Sequence, residues 1–388
     1  MARFDICVLT ATRAEYGLLK PVIAALSQSD ECSVRLAVTG MHLSEEFGLT
    51  YKEIEKDGYN IDVKIPILSG DDSPAGISKT MAAALIGFAD YFAKHKPDLL
   101  VVLGDRYETL AVCTAAMNER IPIAHLHGGE TTEGAADEAY RHSITKMSML
   151  HFTSTEEYRN RVIQLGEAPE RVFCVGATGV ENIMNTPLMS KAELKESIGV
   201  SEDLPLVSVT FHPVTLENST AAEQTDELIK FLESREDLFF VITKANADTD
   251  GRIINKKIDE YVATHKNAVA FASLGLVRYL SLLKNTEFVL GNSSSGLLEA
   301  PSFNIPTINI GDRQKGRCKA ESVIDCKAEF NSISDAVSRA MSEEFRAVAR
   351  KAVNPYGDGN TSMRIAKEII SALNKGLDLK KKFYDIGR

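Results

Sequence analysis

Short apolar runs alternate with amphipathic stretches along the chain, and most of the runs close on glycine or a charged side chain. Residues 4–9, 33–38, 61–67, 99–103, 121–126, 150–153 and 172–175 read as strands in the first half. Residues 205–211, 238–243, 268–271, 288–290 and 305–310 do so in the second. Such runs, apolar on both faces, fit buried parallel strands. Between them the period becomes helical: in residues 15–27, Leu18, Leu19, Val22, Ile23 and Leu26 share one stripe. Helices are also expected around Glu53 and over residues 74–96, 137–146, 156–165, 222–234, 252–265, 276–283 and 362–376, with a further one from Leu297. Pro97 stops the second of these. Strict alternation predicts an α/β protein with doubly wound parallel sheets and right-handed crossovers. Residues 176–190 read as the connection between two halves of similar design.

The chemistry is expected where strands empty, because ligands of open α/β sheets bind outside the carboxyl ends. Residues 99–103 end in Gly104-Asp105-Arg106-Tyr107-Glu108, and residues 121–126 end in His127-Gly128-Gly129-Glu130. The helix that follows starts at Asp137, where an acid suits the dipole. Its Asp137, Arg141 and Thr145 are spaced by four, as are Glu138, His142 and Lys146. This half therefore reads as an acid/base site.

In the second half, Gly291-Asn292-Ser293-Ser294-Ser295-Gly296 joins a strand to a helix, a pattern that turns backbone N–H groups and hydroxyls toward an anion such as phosphate. Arg313 and Arg317 follow the next strand and could complete a diphosphate clamp, with Arg13 reaching it from the first half. His212 stands at a strand end, Glu299 could accept from ribose hydroxyls, and Asn246 and Asp248 could read a nucleobase edge.

Composition narrows the field. A chain of 388 residues is long enough for two α/β domains. Its net charge of -10 argues against a general nucleic-acid binder. Cys7, Cys32, Cys113, Cys174, Cys318 and Cys326 are scattered, which suits free thiols in a reducing cytoplasm rather than a metal site. Residues 1–5 run straight into a strand without a signal peptide, and no run is long enough to span a bilayer, so a cytoplasmic protein without membrane association is expected. Neither a dinucleotide glycine fingerprint after the first strand nor a Walker A pattern is present, and no cofactor or metal is called for.

The motifs Thr10-Ala11-Thr12-Arg13-Ala14-Glu15-Tyr16-Gly17, Val38-Thr39-Gly40-Met41-His42, Gly104 to Glu108, His127 to Glu130, Arg141-His142-Ser143-Ile144-Thr145-Lys146, Phe211-His212-Pro213, Asn292 to Gly296 and Gly311 to Arg317 together carry a resemblance. Over nearly its whole length the chain resembles the hydrolysing UDP-N-acetylglucosamine 2-epimerases of bacterial sialic acid synthesis. The resemblance implies two Rossmann-like domains facing across a cleft, as in glycosyltransferase-B folds. Residues 1–178, joined by a final helix of about 362–388, would form the first, and residues 179–361 the second, UDP-binding one. It implies loss of the C2 proton as UDP leaves C1, a 2-acetamidoglucal intermediate, and addition of water to give N-acetylmannosamine. Asp105, Asp137, Glu130, His127 and His142 would be catalytic, and His127 replaces a glutamate of many relatives, so the C2 base is His127, Glu130 or Asp137. Arg13, His42, Arg106, Arg141, His212, Asn246, Asp248, Ser293, Ser294, Ser295, Gly296, Glu299, Arg313 and Arg317 would bind the UDP-sugar. A homo-oligomer, dimer or tetramer, is implied too. The alternatives are the same reaction on a UDP-2,4-diacetamido-2,4,6-trideoxyhexose, or a glycosyltransferase of the same fold.

Overall fold

The computed structural model describes residues 4–71, 73–131, 137–213, 221–245 and 251–387. The chain forms two units, one of Met1–Asn182 with Tyr356–Arg388 and one of Ile183–Pro355. Each is built on an all-parallel sheet flanked by helices. In unit 1 the strands are β1 (Phe4–Thr10), β2 (Cys32–Thr39), β3 (Ile61–Ile65), β4 (Leu99–Leu103), β5 (Ile123–Leu126), β6 (Leu150–Thr153) and β7 (Val172–Cys174), in the order β3-β2-β1-β4-β5-β6-β7. In unit 2 they are β8 (Leu206–Thr210), β9 (Phe239–Thr243), β10 (Ala268–Phe271), β11 (Thr286–Gly291), β12 (Thr307–Ile310) and β13 (Val323–Cys326), in the order β10-β9-β8-β11-β12-β13. The order reverses between β1 and β4 and between β8 and β11, and each reversal opens a switch point at the carboxyl ends.

Burial explains the strand composition. Every residue of β4 and β8 is buried, because helices cover both sheet faces. In unit 1 one face packs Ile6, Val8, Leu36, Val101, Ala124 and Phe152 against the helices Arg13–Ser27 and Thr361–Lys375, while Cys7, Leu100 and Val102 face the helices Pro74–Lys94 and Tyr107–Asn118. All six cysteines are free, with Cys7, Cys32 and Cys113 buried.

Helix Arg13–Ser27 shows how a local irregularity is absorbed. Thr12 and Glu15 form a capping box at its start. Pro21 inside the helix has no N–H for the carbonyl of Gly17. The Asn182 side-chain amide supplies the missing donor at 2.9 Å. Asn182 lies in helix Thr178–Asn185, within the stretch expected as a plain connection. That stretch folds because Val180 and Ile183 are buried and because Glu181 accepts from the backbone N–H of Ser362 at 2.7 Å, capping helix Thr361–Lys375. The last helix packs on helix Arg13–Ser27, inside unit 1.

Strand β13 and the helices Lys191–Ser197, Phe330–Met341 and Glu343–Lys351 also lie beyond the sequence reading. The helix expected from Leu297 is a single turn, Ser295–Leu298, followed by a 3-10 turn at Ala300–Phe303 that contains Pro301. Among the described residues no helix is long and apolar enough to cross a membrane.

Candidate active site

Strand β5 delivers two histidines with opposite fates. His125 is fully buried, and its Nε2 lies 2.7 Å from the Gly104 carbonyl and its Nδ1 3.1 Å from the Thr145 hydroxyl. Burial lowers its proton affinity to a pKa of about 3, so the neutral ring donates to Gly104 and accepts from Thr145. It fixes the end of β4, just before Asp105, against helix Asp137–Met147. This residue was absent from the sequence-derived site, since a histidine inside an apolar strand carries no outward signal.

His127 ends the strand in a left-handed conformation, φ 63°. Of the two glycines after it, Gly129 is required, since its φ is 78° and a Cβ there would lie only 2.4 Å from the Tyr158 carbonyl, while one at Gly128 would press on His125 Nδ1 at 3.1 Å. The tight turn folds Glu130 back, so that its Oε1 lies 3.1 Å from Nδ1 of His127 and accepts from the Ser154 hydroxyl at 3.0 Å.

Arg141 is the hub. Its side chain is 4% exposed and donates to the carboxylate of Asp105, to Oε2 of Glu138 at 2.7 Å and to the Glu130 carbonyl at 2.8 Å. Hydrogen bonds to charged acceptors in partly buried settings are the strong ones. The loop after β4, the loop after β5 and the first turns of helix Asp137–Met147 are thereby tied to one guanidinium. Asp137 opens that helix, and its proton affinity is raised by burial and by the nearby Asp105 charge, against the pull of Arg106 and Arg141. Arg106 is anchored by Glu108, whose buried Oε2 has no hydrogen-bond partner among the described residues. Close by, Glu15 is pushed up to about 7, chiefly by burial and in part by Glu108.

Three expected contacts fall elsewhere. His42 is fully buried, with Nε2 2.9 Å from the Thr10 hydroxyl and Nδ1 2.8 Å from that of Thr50, and burial lowers it to about 4. With both nitrogens engaged it braces the end of β2. His142 meets the cluster only through Glu138, 3.0 Å from its Nε2. Its ring lines an apolar groove with Met81, Leu110, Thr114 and Met147, so it supports the hub rather than standing beside Asp105. Arg13 is an exposed side chain paired with Glu53 at 3.1 Å.

Unit 2 gathers its residues at the β8/β11 switch point. The Asn292 side chain accepts from the His212 N–H at 2.7 Å and donates to the His212 carbonyl at 2.8 Å, bridging the two strand ends as a backbone would. Gly291 must lack a side chain, since a Cβ would lie 1.9 Å from the Thr210 carbonyl. The Asn292 carbonyl accepts from Arg313 at 3.0 Å and from Gln314 at 2.9 Å. Gln314, missed in the sequence, is buried, and its Oε1 has no hydrogen-bond partner among the described residues. Ser293 accepts from the Ser295 N–H at 3.3 Å, and Ser294 precedes the single turn. Ser295 bonds to the Glu299 carboxylate and accepts from Tyr279 at 2.6 Å. Glu299 stands between that turn and the 3-10 turn after it, with its proton affinity raised by burial. Gly296 packs on Thr307, and Arg317 closes the turn that carries Arg313. Asn246 and Asp248 lie outside the described residues.

Residues 24–370 match the family model described as UDP-N-acetylglucosamine 2-epimerase. The chain is 41% identical over 388 residues to the GDP/UDP-N,N'-diacetylbacillosamine 2-epimerase (hydrolyzing) of Campylobacter jejuni, covering 100% of both chains. It is 42% identical over 390 residues to the polysialic acid biosynthesis protein P7 of Escherichia coli, covering 98% of this chain and 97% of that one. Its fold is similar to the crystal structure of UDP-GlcNAc 2-epimerase from Neisseria meningitidis bound to UDP-GlcNAc, with a TM-score of 0.81, 19% identity, and coverage of 95% and 100%.

Proposed function

This chain belongs to the UDP-N-acetylglucosamine 2-epimerase family, and from that premise we propose that it converts UDP-N-acetylglucosamine to N-acetylmannosamine and UDP. The observation that carries the reading is the group of Asp105, Asp137 and the His127–Glu130 pair, all tied to Arg141 or facing it at the switch end of unit 1. A carboxyl whose proton affinity is raised toward neutrality suits a group that takes and returns a proton.

In the proposed reaction a base removes the C2 hydrogen while the C1–O bond breaks and UDP departs with the electron pair. This leaves 2-acetamidoglucal. Water then adds its oxygen at C1 while C2 is reprotonated on the opposite face. Asp137 is assigned one proton transfer and the His127–Glu130 pair the other, with Asp105 and Arg141 holding the charges in place. The Asn292 loop, Arg313 and His212 are assigned to the nucleotide. Turnover in D2O should place deuterium at C2 of the released sugar; product without that label would remove proton abstraction from the mechanism.

A second reading keeps the chemistry and changes the sugar. The 41% identity over full length to an enzyme named for diacetylbacillosamine favours a UDP-2,4-diacetamido-2,4,6-trideoxyhexose. Comparing kcat/KM on the two UDP-sugars, without any acceptor, separates these readings and sets both apart from a glycosyltransferase, which would release no free sugar.

A further inference from the structure

Helix Asp137–Met147 has a second anchor at the end remote from Asp137. Lys381, from the segment after the last helix, places its Nζ 2.7 Å from the Ser148 carbonyl, 2.9 Å from that of Lys146 and 3.4 Å from that of Thr145. The Thr145 carbonyl is shared with the Ser148 N–H at 3.1 Å; those of Lys146 and Ser148 lie at the helix end, where internal donors run out, and a cation there also suits the dipole. The same ammonium lies 2.5 Å from Oε2 of Glu167, a carboxylate that is 1% exposed. Glu167 in turn holds Lys146 at 2.6 Å and His151 at 3.0 Å. Burial pushes Glu167 up, but His151, Lys146 and Lys381 outweigh it and hold it at about 2, so its carboxylate stays ionised, while burial lowers the proton affinity of both His151 and Lys381. His151 stands opposite His125 in the β5–β6 register, and His125 grips Thr145 and Gly104.

The neighbouring residues lie flat on the same surface. The Tyr384 N–H donates to the Gly166 carbonyl at 2.9 Å, and Arg171 donates to the Asp378 carbonyl at 3.1 Å. The Phe383 ring occupies the space a side chain at Gly166 would need, and Lys146 sits 5.0 Å above it. An ordinary flexible tail would make none of these contacts. We propose that residues 377–385 form a strap that sets the position of the Asp137 helix, with Lys381 as a positioning residue for the proton transfers at its other end.

This rests on the reading that Asp137 takes part in turnover. A helix moves as a rod, so releasing one end shifts the groups at the other, and displacements near 1 Å are enough to cost a large factor in rate. Arg141, Thr145 and Lys146 still hold the helix without the strap, so the loss should be partial.

The test uses the full chain with Lys381→Met, Lys381→Arg and Phe383→Ala. It measures UDP release from both UDP-sugars, calorimetric UDP binding, and hydrogen exchange of the amides at 145–149. Lys381→Met should lower kcat about tenfold, leave KM and UDP affinity within about twofold, and speed exchange at the helix end. Lys381→Arg should recover most of the rate, and the exposed Phe383→Ala should give a smaller loss in the same direction, which covers the case in which Lys381→Met does not fold. Wild-type kcat in both Lys381→Met and Phe383→Ala, or faster exchange confined to residues beyond 377, would overturn the strap. If the wild type releases UDP from neither sugar, the functional reading falls, while the exchange result still judges the strap.

Discussion

The two units share one architecture and differ in what stands at the switch point. In unit 1 the strand ends carry full charges locked into a network: Asp105, Glu138 and the Glu130 carbonyl on Arg141, and His127 on Glu130. In unit 2 the corresponding place is built mainly of hydroxyls, one carboxamide bridging β8 and β11, and backbone groups tightened by Gly291, with the Arg313 guanidinium on the Asn292 carbonyl. Fixed charges with perturbed proton affinity suit the breaking of bonds. Neutral donors and a close backbone suit gripping an anion without reacting with it. Under the proposed function one sheet topology serves two chemical tasks, and the division is made by the few residues after each strand.

The sharpest way to break this contrast is Asp137→Asn. Turnover should fall by about 10³-fold, the usual reach of a lost acid/base group, while calorimetric UDP binding stays unchanged. A wild-type rate would take Asp137 out of the reaction. Next, Arg141→Met removes the buried cation of the hub and the hydrogen bonds it gives to Asp105, Glu138 and the Glu130 carbonyl. Stability in urea should drop by about 3 kcal/mol, with turnover falling as well. A variant as stable as the wild type would show that the network is dispensable.

The structural histidines set a third expectation. His42 and His125 are held at about 4 and about 3, below their ordinary value of 6.5. Groups with depressed folded-state values support folding fully above pH 6.5, and the support declines as pH falls toward 4. The urea midpoint should therefore fall between pH 7.5 and pH 5, by on the order of 2 kcal/mol for His42 alone, and His42→Asn should flatten the curve. The smallest effect is expected in unit 2. Arg313→Ala should weaken UDP binding by about tenfold and leave kcat at saturation nearly intact; a loss confined to kcat would reverse the roles given to the units.

The strands were legible because buried parallel strands are apolar without a break, as in Leu99–Leu103. Helix Phe330–Met341 carried its signal in plain view, with Ile333, Ala336, Val337 and Ala340 on one stripe. Helix Thr178–Asn185 did not, because a Gly and a nearby Pro disguise it and one of its anchors is the remote contact of Glu181 with Ser362. At the site, residue type announced Asp105, Asp137 and Arg141. What it could not announce was direction: His42 and His142 have the chemistry of ligand contacts, yet tertiary packing turns one into the core and the other toward an apolar groove. Gln314 and His125 were hidden for the opposite reason, as ordinary residues made important by what surrounds them.

The discontinuity of unit 1 has a bearing on biogenesis. Its sheet is complete once residue 175 has left the ribosome, but the helix that covers Val175 and Leu26 arrives only after the whole of residues 183–355 has been made. For that interval an apolar face waits uncovered while a second domain is synthesised and folds, the kind of nascent intermediate that holdase chaperones recognise.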